Sequence, residues 1–213
     1  MNIIASIEFF IPYLIVVGYV ASHTASQYQI IFKIEGAKSS SVATGYNYAM
    51  KVMIIASLGI IVFNISSSWL IEKLISTQDF LKIVISAIMI CSVGSFWIVI
   101  KFFSKIEIKE LYRNHKKIFS LALLANSMAV VGQTLPLTLG TIFFENRLSL
   151  ANTSFIFNAF YTLIEVFYIE SILARKIDSG SHDIDYFASA VIYSRLAAFV
   201  IVSVCYFILF RIV

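Results

Sequence analysis

LKIVISAIMICSVGSFWIVI, residues 81–100, carries one charge, Lys82, in twenty positions. The hydrocarbon core of a bilayer, about 30 Å thick, is crossed by about 20 apolar residues in helical form. This stretch therefore reads as a membrane span, and the rest of the chain agrees with it. Of 213 residues, 60% are hydrophobic and 13% charged, and the mean hydropathy is +0.89, far above that of a soluble globular domain. With 2 prolines and 8 glycines, the chain lacks the turn residues that a barrel of short alternating strands requires. In lipid the other way to satisfy every backbone group is the α-helix. The expected class is all-α, a polytopic integral membrane protein.

Six runs have the length of a span: residues 3–22, 42–63, 81–100, 118–144, 148–174 and 186–209. They leave only short connections, so residues 1–213 are read as one integral membrane domain. The first run lacks the basic start and small-residue cleavage pattern of a signal peptide, and is read as retained. Cys91 and Cys205 fall inside runs, where they count as small apolar residues. His23, His115 and His182 have no ligand spacing, so no metal site and no cofactor is expected.

Basic residues orient a membrane chain. The first, third and fifth connections hold Lys33 and Lys38, then Lys101, Lys105, Lys109, Arg113, Lys116 and Lys117, then Arg175 and Lys176. The other connections and the C-terminal tail hold only Lys73, Lys82, Arg147 and Arg211. The odd connections are expected in the cytoplasm, with both termini outside. Within residues 101–117, lysines at i, i+4 spacing alternate with Phe102, Phe103 and Ile106, the pattern of an interfacial segment that holds anionic lipid. Nothing suggests a nucleic-acid partner.

The fifth span is the polar one. At 100° per residue, Arg147, Ser154, Asn158, Tyr161, Glu165 and Tyr168 fall within about 40° of Ser154, a stripe running nearly the whole membrane depth. Glu145 and Glu170 point elsewhere, near the ends. Ser40, Thr44, Asn47 and Lys51 share a face of the second span, and Asn126 and Gln133 align in the fourth. By rise per residue, Glu165 and Arg195 lie roughly 15 Å from the cytoplasmic surface and Lys51 roughly 20 Å, so the three can meet. Intramembrane charges are functional candidates. Two cations against one carboxylate suit a phosphate or pyrophosphate. Two plainer readings stay open: Glu165 and Arg195 as an assembly pair, and Lys51 snorkelling to the interface. No hydrolase, zinc-protease or Mg²⁺-binding phosphotransfer motif occurs.

Glu145-x-Arg147, six residues, Ser154, three residues, Asn158, then Ser194-Arg195 in the last span resembles the C-terminal third of the Amj family of bacterial lipid II flippases, over about 70 residues. The resemblance implies roles for Arg147, Ser154, Asn158, Ser194 and Arg195. The chain departs from the family at Val166-Phe167-Tyr168, where the family has Val-Asp-Pro. Three spans per half also give the two halves opposite topologies, as in inverted-repeat transporters.

The expectation is a flippase, not an enzyme, in the bacterial inner membrane. It would move a polyprenyl-pyrophosphate-linked envelope precursor such as lipid II outward. Lys51, Arg195 and Glu165 would hold the headgroup at depth, Ser154, Asn158, Tyr161 and Ser194 would line its path, and Arg147 would receive it outside. The alternative is a small accessory subunit whose polar stripe packs on a partner, or on a second copy of the chain. A lipid-modifying enzyme is a third.

Overall fold

Each of the six apolar runs lies in helix. The computed structural model describes residues 3–39, 41–73, 75–104, 106, 108–180 and 183–213, with the side chains of all but 3–8, 108–114, 148 and 151. Ser40, Lys105 and His182, and the side chains of Glu8, Lys109 and Arg113, lie outside the described residues. The helices are α1 (Ile3–Lys38), α2 (Val42–Glu72), α3 (Thr77–Phe103), α4 (Ile108–Ile142), α5 (Arg147–Ile164), α6 (Ser171–Asp178) and α7 (Ile184–Ile212). A 3₁₀ turn, Phe144–Asn146, leads into α5, and a π-helical turn, Glu165–Glu170, joins α5 to α6. Six helical stretches are long and apolar enough to cross a membrane, with α5, the π turn and α6 forming the fifth. The protein is a multi-pass, all-α membrane protein.

Several boundaries differ from expectation, among them α2, which runs past Phe63 to Glu72 and so carries Asn64 and Ser68 in helix. The first span does not end at Ser22, because the helix continues to Lys38. The residues that lower its hydropathy, Ser22, His23, Gln27 and Lys33, are buried inside the bundle. The basic segment between the third and fourth spans is also helical from Ile108, but His115 leaves helical geometry (φ −124°, ψ 22°) and separates it from the span that follows.

The surface is that of a lipid-immersed protein. Ile54, Leu58, Val93, Phe155 and Ile156 are exposed, whereas Asn126, Thr134, Ser194 and Arg195 are buried. Buried hydroxyls on α4 satisfy themselves locally: Thr134 donates to the Val130 carbonyl (2.7 Å), Thr138 to that of Thr134 (2.9 Å), and Tyr206 on α7 donates to Thr134 Oγ1 (2.7 Å). The last of these joins α4 to α7, and bonds of that kind hold helices together where lipid is as apolar as leucine.

Packing follows the division into two halves. In the first, α1 packs on α2 and on α3; in the second, α4 packs on α5 and on α7; α3 and α7 pack on each other across the halves. The first helix of each half thus carries the second and third. The second helices, α2 and α5, share no extended interface among the described residues. That leaves a gap between them, floored by α4.

The bundle has two ends. The terminal end holds the C-terminus and the α2–α3 and α4–α5 connections; the basic end holds the α1–α2, α3–α4 and α6–α7 connections. At the basic end Ile34, Ile169, Leu173, Ile184 and Phe187 form one core, and toward the terminal end Ile15, Tyr19, Phe63, Phe80 and Phe199 form another.

Candidate functional site

The gap between α2 and α5 sets polar side chains among the apolar Ile60, Leu137 and Phe155. Its main space, about 410 Å³, is lined by Asn64 and Ser68 of α2, Gln133 and Pro136 of α4, and Ser154, Asn158, Tyr161 and Thr162 of α5. Toward the terminal end it shares Ser68, Pro136 and Leu137 with a space of about 100 Å³ beside Glu72 and Arg147. Inward it shares Ile60, Gln133 and Tyr161 with a chamber of about 50 Å³, lined also by Ser22, His23, Asn126 and Arg195. The chamber has room for roughly three or four waters. The three spaces make one cleft from the terminal end to mid-bundle.

Five of the expected residues line this cleft: Arg147 its mouth, Ser154, Asn158 and Tyr161 its wall, and Arg195 its inner end. The α5 stripe holds as a regular helical face, with Phe160 and Leu163 turned outward to lipid. Gly132 lets the wall close on the floor, since a Cβ there would lie 2.5 Å from Phe157 Cβ. At the mouth the Arg147 guanidinium lies 4.2 Å from the Phe144 ring centroid.

Arg195 is fixed from α4. Its Nε donates to Asn126 Oδ1 at 2.8 Å, and Asn126 Nδ2 donates to Ser194 Oγ at 3.1 Å. Ser194 in turn donates to the Val191 carbonyl (2.7 Å) and is fully buried, so it serves the arginine's bracket and does not line the cleft. Tyr161 stands beside Arg195 in the same chamber wall. His23 meets Gln133 Oε1 at 3.0 Å. Arg195 Nη1 and Glu165 Oε2 are buried without a hydrogen-bond partner among the described residues. Glu165 faces Arg195, with Glu170 and Lys33 also within electrostatic reach.

Two expectations need correction. Lys51 does not join Glu165 and Arg195. It is exposed, and its ammonium lies 5.2 Å from the Tyr48 ring centroid. Depth along a helix does not give direction around it. The face of α2 that packs is Gly45, Ala49, Ala56 and Gly59, and Lys51 lies about 80–120° around from its glycines. In its place stands a pair that the sequence reading did not join, Lys33 being left in a connection and Glu170 turned away at the end of the fifth span: Lys33 Nζ bonds both Glu170 oxygens, at 2.7 and 2.6 Å. Lys33 is 7% exposed and Glu170 24%, and Tyr46 of α2 lies against Lys33, its ring centroid 5.4 Å from the ammonium.

The π turn explains why Glu170 was missed. On a regular wheel it lies 140° from Glu165. In a π turn the bonds run i to i+5 and residues five apart come near each other, as in the Ser171 hydroxyl's bond to the Val166 carbonyl, 3.1 Å. The same turn puts Tyr168 on the exposed surface and not in the stripe. Among the described residues the charges at depth are therefore Glu165, Arg195, Glu170 and Lys33, which balance. The surplus positive charge inferred from sequence is not there.

Comparison with known proteins gives no match, whether to family models, to curated proteins or to solved structures. Function has to be argued from the cleft itself.

The pair and the misplaced lysine give a test. Lys51→Gln should change thermal stability in detergent by no more than about 0.5 kcal/mol, as for an exposed site. Lys33→Gln should cost about 1–3 kcal/mol, between the limits for exposed and buried pairs, because it strands Glu170. Equal effects would mean that Lys33 and Glu170 are not paired in the membrane.

Proposed function

We propose that the protein is a flippase for a polar-headed lipid, with a polyprenyl-pyrophosphate-linked envelope precursor as the substrate class that the Amj resemblance implies. The observation that carries this is the cleft. Polar side chains recur along it among apolar ones, it reaches a buried arginine at mid-bundle, and it lies between two helices that do not close on each other. A lipid could keep its tail in the bilayer while its headgroup travels inside.

On the positive-inside rule the terminal end is outside, so the cleft opens outward. Closure at the basic end is supplied by the Lys33–Glu170 pair and the surrounding isoleucines. Transport requires the opposite state as well. The packing supports a rocking of α1 with α2 against α4 with α5, each pair moving as one piece, as in other two-half transporters. The headgroup would pass from Lys33 and Arg195 to the Asn158 and Ser154 wall and leave past Arg147. Lys51 has no part in this path. Arg195, with one nitrogen unpartnered, is the group for a phosphate oxygen.

A second reading has its own observation. Thr44, Asn47 and Lys51 are exposed on one face of α2, and polar groups on a lipid-facing surface call for a partner. That face suits an accessory subunit or a second copy of this chain.

The functional test is whether the gene restores growth to a bacterium depleted of its other lipid II flippases, and whether the purified protein alone moves such a lipid across proteoliposomes. Rescue in cells with no activity in vesicles would favour the accessory role; failure of both would sink the flippase. Cleft access is checked separately. With Cys91 and Cys205 replaced, cysteines at Asn64, Ser154 and Asn158 should react with a charged thiol reagent added from the terminal side, because thiolate forms in water. Cysteines at Ile156 and Phe160, which are 59% and 54% exposed but face lipid, should not. Uniform protection would make the cleft a dry interface.

A further inference from the structure

On the other side of α4 lies a second groove, which the flippase reading does not use. Its floor is α7, at Leu196, Ala197 and Val200, and its walls are Phe96 and Ile100 of α3 and Phe119 of α4; its volume is about 680 Å³. Apart from Tyr193 and Ser104, every residue lining it is apolar. It forms because α3 and α4 both pack on α7 and barely on each other.

The mouth of this groove is at the basic end, where cations gather. Ser104, just past α3, lies one turn beyond Lys101 toward the basic end, and Lys116 lies one turn before Phe119 on α4, so both lysines flank lining residues near that end. Lys101, Lys116 and Lys117 are all exposed. Lys101 also lies over the Trp97 ring, 4.9 Å from its centroid. An apolar slot facing the bilayer with cations only at its headgroup end is complementary to one kind of molecule. We propose that it binds an anionic phospholipid, with an acyl chain along α7 and the phosphate held by Lys101 and Lys116, as in basic pockets between membrane helices. Such a lipid bridges α3 and α4, one helix from each half, which otherwise meet through α7. This inference is independent of the flippase reading.

Trp97 reports on the site directly. The chain has only 2 tryptophans, and Trp69 is near the terminal end of α2, so a Trp69→Phe background leaves the signal to Trp97. Quenching by chain-brominated phosphatidylglycerol and by chain-brominated phosphatidylcholine is compared at equal mole fraction in bilayers. The anionic lipid should be favoured at least about fivefold, the factor one lysine supplies near an anionic headgroup. The preference should fall to near one in a Lys101→Gln, Lys116→Gln, Lys117→Gln variant. It should also fall in Ala197→Phe, which fills the groove and leaves every charge in place. Equal quenching of the unaltered site by both lipids overturns the proposal whether or not any variant folds. A folded Ala197→Phe protein that keeps the full preference overturns it too, because the lysines would then be acting as a surface patch.

Discussion

Gly45→Leu should leave little folded protein, whereas Gly94→Ala, inside α3 and without a clash, should be more stable than the unaltered chain by up to about 1 kcal/mol. The reason lies in what surrounds each glycine. A Cβ at Gly45 would lie 2.5 Å from the Phe32 carbonyl oxygen and 2.7 Å from Gly36 Cα, and one at Gly36 would lie 2.6 Å from Gly45 Cα. Near the other end of the same interface, a Cβ at Gly59 would lie 2.6 Å from the Gly18 oxygen. These are backbone atoms, which give way only if α1 and α2 separate. At Gly94 the nearest atom is Thr24 Oγ1, 3.9 Å away.

Overpacking costs about 1–3 kcal/mol when side chains can shift, and more when they cannot. Between membrane helices the close approach that glycine permits is itself the source of affinity. Gly45→Ala should sit between the extremes, since a gain of about 1 kcal/mol in helix propensity offsets part of the clash. The monodisperse fraction and thermal midpoint in detergent would rank the three. A stable Gly45→Leu protein would mean that α1 and α2 are not a fixed pair, and rocking of that pair would lose its basis.

How much of this was legible in the sequence depends on which property is asked for. The six spans were, because apolar runs of span length have few alternatives in a chain this hydrophobic. The polar face of α5 was legible too, because from Arg147 to Glu165 the helix keeps its regular 100° step. The reading failed where local geometry departs from that step. One π turn carries Glu170 to Lys33 and Tyr168 out to lipid, and no wheel foresees it. α1 was cut short at Ser22 for a different reason: its polar residues face the bundle interior, where hydropathy is a poor guide to membrane depth. Lys51 could have been placed. Gly45, Ala49, Ala56 and Gly59 form a small-residue stripe along α2, and that stripe, not depth, tells which way Lys51 points.

The largest functional effect is expected at Arg195. Arg195→Lys should fold, reach the membrane and lose most transport, at least tenfold. Lysine keeps one charge, but it cannot bond Asn126 through Nε and also offer a second nitrogen to the cleft, as the guanidinium fork does. Arg195→Gln should cost more in stability as well as transport, by removing the cation that acts on buried Glu165 and by stranding Asn126 Oδ1. Glu165→Gln removes the acid and leaves Arg195 held by Asn126, so it should fold well.

The double change to Gln then separates assembly from transport. If the two charges serve only each other, the double variant should be more stable than Arg195→Gln and as active as the unaltered protein, because neither charge is left alone. If Arg195 receives a headgroup phosphate, the double variant should regain stability and stay inactive, since the cleft then ends at an amide. Expression, thermal midpoint and lipid flipping in vesicles, measured for all four variants, give the comparison. A stable and active double variant would leave Lys33 as the one buried cation among the described residues for an anionic headgroup, and since Lys33 is bonded by Glu170 at the closed end, the described residues would then give the outward cleft no anion site at its base.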